Sequence, residues 1–313
     1  MKSFWCLALT FNVEAFAFSS SRTSRWWMLA GGPWQEDLPY YNSSFIDHSV
    51  TLARENLASM TGVYLFLPLS VQVSKNASEA VVISDDVTMS AIIPPFLQLG
   101  LTVSGSIWID PAVIRSGSAL AAVPNLTFAA IRHNLSALFI DFEGQSDPVM
   151  ASLLANFLTA LSTSMNAVGR AVEMAVDTVG ILDQYSLYSE TGVARLMTMA
   201  TYNGWNADGG GISRLTSVID AEMQANVSSS QLSVGVGSMI VGEDADGSGT
   251  PCPDSSGVNL NYQWTEAGLA KFMSLLEIKG VRHLYVYRCD LCLLNSTTEG
   301  WLLNATAQWL RGR

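Results

Sequence analysis

The sequence predicts an α/β fold: one (β/α)8 TIM barrel, following a short leader. Three observations point there. Short β-branched or aromatic runs alternate with longer helical patterns along the whole chain, the signature of βα units and a parallel sheet. The 313 residues suit one such barrel, which typically takes about 250. Two strand ends run straight into Asp-Pro, at Asp110-Pro111 and Asp147-Pro148, where Asp can cap the free N–H groups and Pro can sit at the first helical position. A doubly wound sheet is the competing arrangement, but "AGGPWQED" after the first strand does not match a Gly-rich phosphate loop.

Eight strands are expected in order: Trp26–Ala30, Val63–Leu69, Leu101–Ile109, Ala137–Phe142, Ala171–Asp177, Arg195–Tyr202, Gln231–Gly237 and His283–Arg288. Helical periodicity fills most of the intervals, at Ile46–Ala58, Thr88–Leu99, Pro111–His133, Pro148–Val168, Ser213–Ala225, Thr265–Lys279 and Gly300–Leu310. The fifth crossover, Thr178 to Gly192, shows the weakest pattern.

Residues 1–17 read as a signal peptide: Lys2, the apolar run Phe4 to Phe11, and Ala15-Phe16-Ala17 as a small-x-small cleavage pattern. A Ser/Arg-rich leader, 18–25, follows, and the barrel takes 26–313. "AFAF" before that stretch also resembles the bipartite plastid-import leaders of algae with complex plastids, so plastid import stands as the alternative to secretion. Seven Asn-x-Ser/Thr sequons, at Asn42, Asn76, Asn125, Asn134, Asn226, Asn295 and Asn304, fit the secretory route; they take nearly half of the fifteen Asn residues. No apolar run beyond the signal reads as a bilayer span, "GVYLFLPLSV" being too short. Cys6 would leave with the signal. Of Cys252, Cys289 and Cys292, a secreted chain would pair two, with Cys252 bridged to one of the others.

Charged residues make up only 14% and the formal charge is −11, which excludes nucleic acid as a partner because phosphates demand basic patches. A neutral ligand and a monomeric protein are the expectation.

The segment "SALFIDFEGQSD", Ser136 to Asp147, carries the chemistry. Side chains alternate along a strand, so Phe139, Asp141 and Glu143 share one face, and Ile140 and Phe142 the other. With the apolar pair toward the helices, the two carboxylates point inward at the C-terminal rim, where barrel enzymes work. Two acids this close in a low-dielectric site do not both ionise readily, so one becomes a usable proton donor near neutral pH. The competing reading makes them solvated loop residues or neighbours of the Pro148 helix cap.

"FIDFEG" resembles the fourth-strand signature of family 18 glycoside hydrolases, the chitinase-like and endo-β-N-acetylglucosaminidase-like barrels, whose pattern is Asp-x-x-Asp-x-Asp-x-Glu. Glu143 falls on the catalytic Glu and Asp141 on the Asp two before it; the other two Asp positions are Ser136 and Phe139. "LMTMATYNGW" is similar to the family's sixth-strand Met-x-Tyr-Asp, with one extra residue between Met199 and Tyr202 and with Asn203 in place of Asp. The resemblance implies substrate-assisted, retaining hydrolysis of β-linked N-acetylglucosamine. Glu143 would protonate the glycosidic oxygen, and Asp141 and Tyr202 would position the substrate's acetamido group as it attacks the anomeric carbon, an exception to the two-carboxylate scheme. No cofactor is implied. Loss of the family Asp at Phe139 leaves a catalytically weak or inactive carbohydrate-binding barrel as the alternative.

Asn203, Trp205, Trp34, Trp108 and Tyr287 are the substrate-binding candidates, the aromatics because they lie at or just after strand ends; Tyr287 stands nearest to the family's eighth-strand Trp. Trp264 is a further stacking candidate, and Asp177, ending the fifth strand, a second-tier site residue. "GEDADGSGTPCPD", Gly242 to Asp254, reads as a solvated loop rather than a calcium loop, since the distal Glu is missing. A third reading, in which Asp141 and Glu143 hold a divalent metal, needs more ligands than the sequence offers. His133 and His283 precede strands and fall at the far end of the barrel.

Overall fold

Every strand segment read from the sequence forms a strand, and the eight close on one another. A computed structural model describes residues 22–28, 43–73, 80–142, 148–177, 180–199, 211–237, 239–241, 249–252, 261–287 and 296–312. Strand β1 (Thr23–Met28) leads to α1 (Ser43–Glu55), then to β2 (Gly62–Val73) and β3 (Ala80–Ser84). Helices α2 (Asp86–Ile92) and α3 (Pro94–Gln98) precede β4 (Thr102–Ile109), and α4 (Pro111–Arg115) and α5 (Val123–Arg132) precede β5 (Ala137–Ile140). Then come α6 (Pro148–Asn166), β6 (Ala171–Val176), α7 (Tyr185–Ser189), β7 (Arg195–Thr198), α8 (Ile212–Gln224) and β8 (Leu232–Gly237). Short strands β9 (Met239–Val241), β10 (Gly249–Cys252) and β11 (Asn261–Trp264) lead to α9 (Glu266–Ile278), β12 (His283–Tyr287) and α10 (Ser296–Leu310).

The barrel order is β1-β2-β4-β5-β6-β7-β8-β12, all parallel, and the β12–β1 pairing closes the ring. This is the expected (β/α)8 architecture. The strands read as near-continuous buried runs because both faces are covered, one by the barrel interior and one by the helices.

Six helices return to the barrel through a residue with a left-handed backbone: Gly100, Asn134, Gly169, Gly192, Asn226 and Gly280. That conformation ends a helix and turns the chain back, and only Gly adopts it freely, with Asn next best. Asp110 caps α4, accepting from the Ala112 N–H at 2.8 Å, and Thr265 caps α9, accepting from Gly268. The Asp147 cap lies outside the described residues.

Several expected boundaries move. The first strand begins at Thr23, so Ser24 and Arg25 belong to the barrel and not to a leader ending at 25. The helix expected over Pro111–His133 breaks into α4, a 3-10 turn over Ser118–Ala122, and α5, because Gly117 takes a left-handed φ of 71° and Pro124 starts a new first turn. Thr88–Leu99 likewise splits at Pro94-Pro95. The weak fifth crossover is a 3-10 turn over Gly180–Asp183 followed by the one-turn helix α7.

Two additions to the plain barrel were not anticipated. β3 pairs antiparallel with the end of β2, so a hairpin extends past the rim. The β9–β11 segment forms a separate antiparallel sheet after β8; β10 lies within the stretch expected to be a solvated loop. Helix α6, of 19 residues, is by length and composition apolar enough to cross a membrane, but half of that window is buried inside the protein. Its Leu154, Leu158 and Leu161 are fully buried at helical spacing.

Candidate active site

Asp141 is the residue immediately past the last residue of β5, at the C-terminal end of the fourth barrel strand. It is half-buried, and its Oδ1 is shielded from solvent. The next residue, Phe142, is 1% exposed and belongs to the core, as alternation requires if Asp141 faces the other way. The acid expected two residues later, Glu143, lies outside the described residues. So do Tyr202, Asn203, Trp205 and Trp34, and with them Cys289 and Cys292.

Alternation also puts Phe139 one step deeper than Asp141. Phe139 is buried, and its ring lies 5.4 Å from Tyr64 and 5.6 Å from Tyr285, with Trp27 5.6 Å beyond Tyr64. The four rings come from β5, β2, β12 and β1, so they span the barrel. Where the fourth-strand pattern has an Asp, this chain has one member of an aromatic layer.

Beside that layer sits a charge cluster. Glu173, in register with Phe139, is 1% exposed and pairs with Arg25 and with Arg195, whose Nη1 is 3.2 Å from Oε1. Arg25 also donates to Ser104 Oγ at 2.6 Å, and its guanidinium lies 5.9 Å from the centre of the Tyr285 ring. Burial alone would raise the Glu173 pKa, yet the two guanidiniums, with the Tyr285 hydroxyl, hold it below the usual carboxylate value. Sequence reasoning missed this cluster. Arg25 and Glu173 are 148 residues apart, and isolated charges on an alternating strand carry no sign of facing inward.

Trp108, a binding candidate from the sequence, lies near the end of β4. β4 and β5 pair Ile107 with Ile140, and Trp108 and Asp141 each follow that pair by one residue. Trp108 is half-buried and borders a groove of about 640 Å³ that runs onto the β2–β3 hairpin. Tyr287 is the last residue of β12, paired with Gly237, in the rim position expected of it. Trp264 is not a stacking platform: it is fully buried, donates from Nε1 to the Gly237 carbonyl at 3.0 Å, and packs on Phe272 at 5.5 Å. It ties β11 to the end of β8. Asp177 directly follows β6 but is 1% exposed; its Oδ1 is 3.4 Å from Arg214 and its carbonyl accepts from Tyr185.

At the other end of the barrel, His283 is buried with Nδ1 2.9 Å from the Thr23 hydroxyl. Burial, helped by the Arg195 charge, lowers its pKa to about 3, so the ring is neutral. His133 sits 3.1 Å from Asp86. Among the described residues no three His, Cys, Asp or Glu side chains converge as a metal site. Of the sequons, Asn125, Asn134, Asn226 and Asn304 are exposed, Cys252 is the last residue of β10, and Asn42, Asn76 and Asn295 lie outside the described residues.

No protein-family model matches the sequence, and no curated protein matches it either. Solved structures do match by fold. A chitinase from Chromobacterium violaceum superposes with a TM-score of 0.67 at 14% identity, covering 94% of this chain and 100% of its own. The spore cortex-lytic enzyme SleL of Bacillus cereus gives 0.65 at 13%, covering 91% of this chain and 74% of its own. A glycoside hydrolase family 18 N-acetylglucosaminidase from Paenibacillus barengoltzii gives 0.63 at 11%, covering 92% and 99%. At such identities the likeness is one of fold: this chain has the barrel that family 18 chitinases have.

Proposed function

We propose that this chain is a glycoside hydrolase that cleaves β-linked N-acetylglucosamine in chitin-type oligomers or an N-glycan core, by a substrate-assisted retaining mechanism. The observation that carries the reading is the position of Asp141: it stands at the C-terminal end of the fourth strand of a closed barrel, with Glu143 two residues on and Trp108 on the neighbouring strand. The shared fold supports the same reading.

In this scheme Glu143 gives its proton to the glycosidic oxygen as the bond to the anomeric carbon breaks. The substrate's own acetamido oxygen bonds to that carbon, giving an oxazolinium-type intermediate. Asp141 and Tyr202 orient the acetamido group and balance the charge that develops on it. Glu143, now a carboxylate, takes a proton from water, which attacks the same carbon and restores the acetamido group with retained configuration.

The test is hydrolysis of fluorogenic N-acetylglucosamine oligomers by the mature protein and by Glu143→Gln. Turnover that falls by at least about 100-fold in the variant, with oligomer binding kept, supports the scheme. Binding without turnover in either protein supports the second reading, a carbohydrate-binding barrel. The observation favouring that second reading is Phe139, an aromatic group packed where the family pattern has an acid.

The same proposal includes export: residues 1–17 removed as a signal, N-linked sugars on the exposed sequons, a bridge from Cys252, and a secreted monomer. N-terminal sequencing of the exported protein and a mass shift on deglycosylation test it; a cut further downstream in a plastid fraction would favour plastid import.

A further inference from the structure

The groove beside Trp108 has a chemistry that a sugar cleft does not need. β2 shifts register between Phe66 and Ser70, and the strand then runs on as a ribbon with β3 on one side and the end of β4 on the other. Ser70 pairs with Ile83 across β3 and with Trp108 across β4, so the three side chains lie in a row on one face. Phe66, Leu67, Pro68 and Leu69 complete the wall. Ile83 is 48% exposed and Val81, beyond it on β3, 42% exposed, so the apolar strip continues outward from the groove. Among the described residues that line it, the polar ones are Ser70, Gln72, Ser84 and Asp85. Gln72 donates to Ser70 Oγ, Ser84 donates to Asp86, and Asp85 is occupied in capping α2 through Thr88.

Sugars present several hydroxyls per ring, and a subsite for them must return several hydrogen bonds, because polar groups buried without partners are costly. A row of Trp, Ile, Phe, Leu and Pro returns almost none. The row starts at Trp108, one residue past the Ile107–Ile140 pair, as Asp141 is on the next strand, so the groove opens at the same rim as the carboxylate. The volume is in the range that holds a small-molecule group.

We propose that this groove binds an apolar group attached to the substrate sugar, so that the chain acts on glycoconjugates with an alkyl or aromatic aglycone rather than on plain oligosaccharides. This inference rests on the reading of the site given above. It assigns Ile83 and the β2–β3 hairpin a role in specificity.

The experiment is a series of alkyl β-N-acetylglucosaminides, methyl to octyl, measured for kcat/KM and, by calorimetry, for Kd with Glu143→Gln. Burying a methylene is worth a factor of about three to four, so affinity is expected to rise by roughly that factor per carbon until the groove is filled. The octyl-to-methyl ratio is expected to collapse at least about tenfold in Ile83→Asp and to stay at the wild-type value in Ile131→Asp, a comparably exposed site on α5. Turnover that is flat across the series, with flat Kd, overturns the groove assignment and leaves the hydrolase reading intact. No turnover on any member, with Kd still tightening with chain length in an Ile83-dependent way, overturns the hydrolase reading and supports the groove. A ratio unchanged by Ile83→Asp overturns the assignment to this face.

Discussion

Glu173 inside the barrel and Glu222 on the buried face of α8 are both sealed from solvent, at 1% and 0% exposure. Their surroundings treat them in opposite ways. Glu173 has two guanidiniums, and its carboxyl stays ionised. Glu222 sits at helical spacing from Leu215, Val218 and Ile219 on the buried face of α8, and among the described residues neither of its oxygens has a hydrogen-bond partner. Burial pushes its pKa well above the ordinary carboxylate value. Burial depth alone therefore says nothing about charge state; the partners decide it.

The comparison can be broken most directly at Glu173. Glu173→Leu strands Arg25 and Arg195 in the core and is expected to cost about 3 to 5 kcal/mol in urea unfolding. Replacing all three charges with apolar side chains is expected to recover most of that loss. If the triple variant is as unstable as the single one, lost packing rather than stranded charge sets the cost.

Glu222→Leu is expected to act with the opposite sign, stabilising by about 1 to 3 kcal/mol. The sign follows from the raised folded pKa. Below the unfolded value of 4.5 both states hold the proton; above it only the unfolded state ionises, so the wild type loses stability as pH rises. The gain should thus be larger at pH 8 than at pH 4.5, and an equal gain at both would mean that Glu222 is ionised in the folded state.

His283 supplies an effect that is absent at neutral pH. Its folded pKa of about 3 lies below the ordinary 6.5, so its contribution is complete above 6.5 and drains away as pH falls toward 3. The slope from this one group cannot exceed about 1.4 kcal/mol per pH unit. His283→Gln is expected to flatten the stability curve between pH 6 and 4; an unchanged slope would assign the acid sensitivity to Glu173 instead.

The eight strands and their order were legible because each is a buried run long enough to stand out between helical patterns. The β2–β3 hairpin also left a signal, the β-branched run "AVVIS", but it followed a Ser/Asn-rich stretch that reads as loop. The β9–β11 sheet left less, since its strands are three to four residues long and one carries Pro and Gly. Asp141 was legible from alternation and position. The aromatic layer and the Arg25–Glu173–Arg195 cluster were not, because their members come from distant strands and meet only when the ring closes.

The left-handed turns bear on how the molecule could be decorated. Asn134 and Asn226 hold two of the six, and both begin Asn-x-Ser sequons, so two of the seven sequons have an Asn that the backbone itself calls for. Both stand just ahead of strands, at the end of the barrel away from Asp141. A sugar tree hung on either would project from the underside. Hydration, protease shielding and receptor recognition could then act on one pole of the molecule while a bulky substrate reaches the other unobstructed.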